Sequence, residues 1–298
     1  MPQSPFNGKE HLKMSSAEKP GQFETRPGVT YATHDSVALV GDLYLPKGAG
    51  PYPVLVGVHG GGWVQGARGQ FQYWGKYLAE RGVALFAISY RLAKPGQKTF
   101  PHAVQDVLAA IQYVRGNAKD LNIAPDRIGV FGHSAGGNLG ALAALAGKRF
   151  EGGYPHDAHA KVAADVKVFA GVYGVYDLAE MWGKYNIQSP KQNNIAMFLG
   201  ESLADNRQLY FDASPISYAV STNNKLAVHL SVGTEDDLVD RRAHTDAFVL
   251  ALKQAGFFVR TTILQGAPHY FGSDPIDEPG SFSGFMAPRL LRFLQEKL

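Results

Sequence analysis

The sequence predicts an α/β protein: a mainly parallel sheet covered by helices on both faces. Two observations carry that expectation. Short apolar runs recur along the chain, among them Pro53–Val58, Val83–Tyr90, Val166–Val172 and Leu226–Val232. Strands buried on both sides read as continuous apolar runs, whereas a half-solvated sheet alternates apolar and polar residues. Segments with helical spacing lie between these runs, and alternation of strand and helix is the pattern of parallel strands joined by crossover helices.

The elements follow in order. Met1–Pro27 is rich in polar residues, proline and glycine, and is read as a flexible arm rather than a segment that packs near a site. Val29–Thr33 and Val37–Leu45 make an opening antiparallel hairpin. Pro53–Val58 is a buried strand ending at His59, and Val83–Tyr90 is another. Pro101–Ala118 is helical through Val104, Val107, Leu108, Ile111 and Val114. Ile128–Phe131 is a strand that runs into Gly132-His133-Ser134-Ala135-Gly136, and a small-residue helix follows over Gly137–Gly147. Val166–Val172, Leu226–Val232 and Phe257–Leu264 complete the strands. Arg242–Gln254 and Ser283–Lys297 are helices. From residue 28 onward a single domain is expected, with one insertion near 174–218. That insertion is too long for a simple connection. With its borders it holds Tyr173, Tyr176, Trp182, Tyr185, Phe198, Tyr210, Phe211 and Tyr218, which suit a cap over a pocket or an extra core layer.

Bulk properties exclude several classes of function. Hydrophobic residues make up 45% and charged residues 18% of the 298, so the chain is globular and not disordered. The net charge of +3 is scattered, with no basic cluster for nucleic acid or an anionic membrane. The absence of cysteine removes disulfides, a thiol nucleophile and thiolate metal sites. No run of about 18 apolar residues predicts a membrane span. The first residues lack the apolar core of a signal peptide, and a cytoplasmic location is expected.

The chemistry gathers in four loops. A serine between glycines at a strand-to-helix turn is forced into a strained, exposed position at a helix N-terminus, where the dipole favours developing negative charge. Ser134 is the candidate nucleophile. His59-Gly60-Gly61-Gly62-Trp63 follows a buried strand; consecutive glycines cost backbone entropy but let N–H groups face a ligand unobstructed. Gly61 and Gly62, with Ala135 after the nucleophile, are candidate oxyanion-hole donors. A serine hydroxyl needs a base, and the base needs an orienting acid. His269 lies between the last strand and the closing helix, where the base is expected. The strand at Leu226–Val232 runs into a loop with four acids, Glu235, Asp236, Asp237 and Asp240.

These motifs in combination resemble the α/β-hydrolase superfamily of serine esterases, nearest the hormone-sensitive-lipase-like and bacterial acetyl or feruloyl esterase groups. The resemblance runs from about Val37 to the C-terminus and includes Tyr90-Arg91-Leu92 and Phe100-Pro101. It implies an α/β-hydrolase fold, a carboxylesterase activity through an acyl-enzyme, and no cofactor or metal. It also selects the acid: the family turn Gly-x-x-Asp-x-Leu-Val corresponds to Gly233–Val239, which points to Asp236. Asp237 occupies a slot often filled by proline, and His133 stands where hormone-sensitive-lipase relatives usually carry Asp.

Competing readings use the same residues. An arylformamidase would share the fold, the His-Gly-Gly-x-Trp loop and the acylation logic. A non-catalytic binding protein on this scaffold would be expected to have lost the nucleophile or base, and this chain keeps both. His59, His133 and His269 lack a recognised zinc spacing. The expected partner is a small-molecule ester, with neither nucleic acid nor membrane, and a homodimer stays open. Trp63, Tyr176 and Trp182 are the candidate substrate-contacting rings, and Phe71, Tyr73 and Trp74 are expected to extend the Trp63 wall. So many rings should crowd the pocket and favour short acyl groups.

Overall fold

The computed structural model describes residues 21–188 and 193–298. Eight strands form one sheet: β1 (Phe23–His34), β2 (Val37–Pro46), β3 (Tyr52–Val58), β4 (Ala84–Ile88), β5 (Ile123–His133), β6 (Val168–Val172), β7 (Ala227–Gly233) and β8 (Phe258–Leu264). The spatial order is β1-β2-β4-β3-β5-β6-β7-β8. The first pair is an antiparallel hairpin, β2 is antiparallel to β4, and every pair from β4 to β8 is parallel. This is the α/β-hydrolase fold that the sequence predicts.

The arm ends earlier than expected. Residues 1–20 lie outside the described residues, but Phe23–Arg26 already pair with Leu43–Pro46. The register then shifts between Arg26 and Val29, across Pro27-Gly28. A bulge there absorbs a proline that lacks an N–H for the ladder, so the strand continues through residues that read as a breaker.

The two faces of the sheet bury different sets. Along β3, Val54, Val56 and Val58 join one core and Leu55 joins the other, as the two-residue period of a strand requires. The first core packs against α2 (His102–Gly116), α3 (Ala135–Phe150) and α7 (Ala247–Gln254), with a π-helical turn over Arg242–Asp246 before α7. The second packs against α1 (Gln72–Ala79) and α8 (Phe282–Lys297), through Trp74, Leu78, Met286, Leu290 and Phe293.

Phe71 and Trp74 therefore do not extend the Trp63 wall. Both are fully buried under the sheet, edge-on to Phe131, and the Trp74 indole N–H donates to the Gly272 carbonyl at 2.7 Å. They start a helix whose apolar stripe faces the second core, while Trp63 joins the first.

The insertion forms α4 (Leu178–Gln188), α5 (Asn194–Leu199) and α6 (Arg207–Asp212). Leu178, Met181, Ile195, Phe198, Leu199 and Tyr210 are buried in continuity with the first core. Among the described residues no helix is long and apolar enough to cross a membrane.

Candidate active site

The strand β5 delivers Ser134 to the carboxyl edge of the sheet through a sharp turn. Ser134 has φ 52° and ψ −118°, a strained conformation for a residue with a side chain. The turn is tight enough to explain its glycines by collision. A Cβ on Gly132 would lie 2.2 Å from the Gly136 carbonyl oxygen, and one on Gly136 only 2.0 Å from that of Val58. Only hydrogen fits at either position, so the chain can reverse and begin α3 directly after the serine.

Three side chains from three different loops meet there. His269 Nε2 is 3.0 Å from Ser134 Oγ, and His269 Nδ1 is 2.7 Å from Asp236 Oδ2. The other oxygen of Asp236 accepts the backbone N–H groups of Leu238 and Val239 at 3.1 and 2.9 Å. Both Asp236 and His269 side chains are nearly inaccessible to solvent. Of the four acids in the loop after β7, Asp236 is the one that reaches the histidine, while Glu235, Asp237 and Asp240 are exposed.

The glycine loop lies across from this relay. Gly61 has φ 123° and Gly62 φ 59°, and among the described residues neither N–H donates a hydrogen bond within the protein. The Gly61 carbonyl instead accepts from Val64 and Gln65 at 3.2 and 3.1 Å, closing a turn that aims the amides outward. A side chain at Gly61 would collide with the Gln65 carbonyl at 2.0 Å. Gly61→Val is therefore expected to cut turnover by about a hundredfold or more by displacing the loop, the scale of losing one oxyanion donor. Steady-state kinetics check this: a change confined to KM would mean the loop only shapes the pocket.

Ser134, Ala135, Gly61, Gly62, Trp63 and His269 share one cavity of about 70 Å³. Its remaining walls are Gln65, Val175, Met181, Tyr185, Asn194, Leu238, Val239 and Tyr270. Larger hollows lie elsewhere, such as one of about 160 Å³ beside His34 and Phe150, but none contains the serine relay. Trp63 is in the wall, held by stacking on Phe198 at 5.0 Å and by an indole hydrogen bond to Asn138 at 3.3 Å.

Tyr176 and Trp182 are elsewhere. Tyr176 is buried behind the site, stacked on Phe248, and its hydroxyl sits against the backbone of Gly171 and Gly174. Trp182 turns toward Tyr210 in the insertion's own packing. The rings' places are set by helix phase: on α4, Met181 and Tyr185 are four residues apart and share the face toward Ser134, and Trp182 falls on the next face. That spacing was the signal available for Met181 and Tyr185. Asn194, near the start of α5, had none.

Two further histidines flank the site as neutral rings. Burial pushes His59 down to about 4, partly offset by its Nδ1 contact with the Gly60 carbonyl at 2.7 Å. Burial also drives His133 down to about 3, reinforced by the neighbouring His269 and His59. His133 stacks on Phe71 and neither ring nitrogen has a partner among the described residues. His229, under the sheet, is held at about 4 by burial and by Arg260.

A folded-state value below the unfolded one gives stability that is complete above the unfolded value and lost as pH falls through the folded one. The unfolded rings titrate near 6.5, so the loss begins there and runs down to about 4 and 3. His34 acts in the opposite sense. Burial opposes its charge, but Asp106 and Asp157 outweigh this and raise it, so its contribution is present in acid and lost in alkali. Three rings against one predict a Tm lower by about 5–10 °C at pH 5 than at pH 7.5. A flat profile by calorimetry would contradict the neutral burial of these rings.

The comparisons with known proteins agree with this architecture. Residues 41–249 match the BD-FAE family. Esterase LipQ of Mycobacterium tuberculosis is 35% identical over 210 residues, covering 68% of this chain and 46% of that protein. The probable isoprenylcysteine alpha-carbonyl methylesterase ICMEL1 of Oryza sativa subsp. japonica is 29% identical over 244 residues, 79% of this chain and 55% of its own length. The chain thus spans about half the length of these curated relatives.

Among solved structures, an acetyl ester-xyloside bifunctional hydrolase from Caldicellulosiruptor lactoaceticus superposes with a TM-score of 0.75 at 21% identity, covering 94% of this chain and 98% of that one. Esterase 2 of Thermogutta terrifontis, phosphoramylated by tabun, gives 0.70 at 23% identity, covering 92% and 94%. Those two establish the fold, and the family match covers well over half of the sequence. The chain belongs to the BD-FAE family and has an α/β-hydrolase fold.

Proposed function

We propose that this chain is a serine carboxylesterase acting on short-chain or small aromatic carboxylic esters. The observation that carries the reading is the continuous relay from Asp236 through His269 to Ser134, opposite the Gly61 and Gly62 amides, which have no partner among the described residues. His269 Nε2 takes the serine proton as Oγ attacks the ester carbonyl. Asp236 fixes the imidazole with Nε2 facing the serine and stabilises the imidazolium. Gly61, Gly62 and Ala135 donate to the oxyanion, where charge appears only in the transition state. The alcohol leaves with the proton from His269. A water activated by the same ring then releases the acid.

The acyl group is proposed to be short. The cavity at Ser134, about 70 Å³, is less than half the size of the hollow beside His34 and Phe150. Met181, Val175, Leu238, Val239 and Trp63 give it an apolar wall, and exposed Tyr270 stands at its mouth. In this reading residues 174–218 act as a cap, with α4 closing the acyl side through Met181 and Tyr185. The esterase names carried by the similar proteins support the same reaction class.

A panel of p-nitrophenyl esters from acetate to decanoate, run beside an aryl formamide, tests this. Acetate to butyrate should be fastest, and the formamide slower. Met181→Ala should move the optimum toward longer chains, because it removes a thioether from the acyl wall. A parent that prefers decanoate, or hydrolyses the formamide faster than any ester, would overturn the proposal.

A further inference from the structure

We propose that Lys184 is a positioning residue for the acid of the relay, joining the cap helix α4 to the loop that holds Asp236; this rests on the serine-esterase reading above. The Lys184 ammonium donates to two consecutive backbone carbonyls, Asp237 at 2.6 Å and Leu238 at 2.9 Å. The N–H groups of the same two peptide units, those of Leu238 and Val239, donate to Asp236 Oδ1. Each peptide unit therefore has a cation on its oxygen and the carboxylate on its nitrogen.

The consequence follows from how hydrogen bonds polarise one another. A cation on a carbonyl oxygen makes the attached N–H a better donor, and chains of such bonds strengthen cooperatively. Two donors on Oδ1 leave Oδ2 free for His269 Nδ1 and fix the carboxylate plane. Of the residues at this contact, Leu238 and Val239 line the cavity, and Lys184 itself does not. On its own helix it lies between Met181 and Tyr185, which touch the same cavity. Substrate contact with α4 is thereby linked to the acid through a single side chain.

The rest of the surroundings supports a connection between these two elements. Near the start of α4, Glu180 Oε2 lies 2.8 Å from Nε2 of fully buried His244, which belongs to the π-helical turn after the acid loop. The segment after β7 is thus met by α4 at two places one turn apart. Only the Lys184 contact reaches the peptide units that hold Asp236.

The experiment compares Lys184→Met and Lys184→Arg with the parent by three readouts: kcat and KM on p-nitrophenyl butyrate, the second-order rate of Ser134 labelling by a fluorophosphonate, and Tm. Lys184→Met keeps the packing length but removes the charge. Its kcat and labelling rate should fall about tenfold, the scale of a charge-assisted hydrogen bond, with KM and Tm little changed. Lys184→Arg should recover most of the lost rate. Parent-like kcat and labelling in Lys184→Met would overturn the proposal. So would equal losses in both variants accompanied by a large fall in Tm, which is the signature of a merely structural contact. A parent that neither labels nor turns over ester would instead sink the esterase reading, so the two failures are distinguishable.

Discussion

Ser134→Ala is expected to abolish ester hydrolysis while leaving Tm close to that of the parent. The loss should be about a millionfold in kcat, the scale seen when a serine hydrolase loses its nucleophile. The fold should survive because the hydroxyl has one partner among the described residues, His269 Nε2 at 3.0 Å, and makes no contribution to either core. Alanine keeps the Cβ, so the strained turn at φ 52° is neither relieved nor worsened. Kinetics on p-nitrophenyl butyrate beside a thermal melt check both halves. Turnover within tenfold of the parent would remove Ser134 from the mechanism.

Asp236→Asn should cost about ten-thousandfold in kcat, because an amide cannot hold the imidazole in the required tautomer. Asp237→Asn is the control. Its side chain is exposed, and only its backbone carbonyl is used, by Lys184. It should stay within a few-fold of the parent. The reverse ranking in steady-state kinetics would place the acid one residue later and would contradict the 2.7 Å contact between Asp236 and His269.

That pair of neighbouring aspartates shows where sequence reading stops. The loop position was legible from the strand before it, but four acids shared it, and only the family turn distinguished Asp236. The physical discriminator is the backbone: Leu238 and Val239 turn their N–H groups onto Asp236, which directs its second oxygen at the histidine. No composition or spacing argument contains that. The serine turn was legible for the opposite reason. Gly132 and Gly136 answer a collision so severe that residue identity alone reports the geometry.

The insertion was the least legible part. Its aromatics were visible, but a ring's identity does not say whether it faces a pocket or a core. Phe198 and Tyr210 became core, Tyr176 went behind the site, and the polar Asn194 with Met181 and Tyr185 lined the cavity. Where the helix α4 begins fixes its phase, and with it which residues face Ser134. The same holds at Phe71 and Trp74, whose loop leads away from the glycine turn and into the other core. Lys184 carried no sequence signal, because its partners are backbone atoms in a loop 53 residues away.

Peptide mapping by mass spectrometry after stoichiometric fluorophosphonate treatment reads the Ser134 nucleophile directly. The reagent's phosphorus takes the place of the acyl carbonyl carbon and reacts fastest with a nucleophile activated beside an oxyanion hole. One adduct per chain is expected, on Ser134, with loss of esterase activity in proportion to labelling. An adduct on another residue, or full esterase activity in the labelled protein, would contradict it.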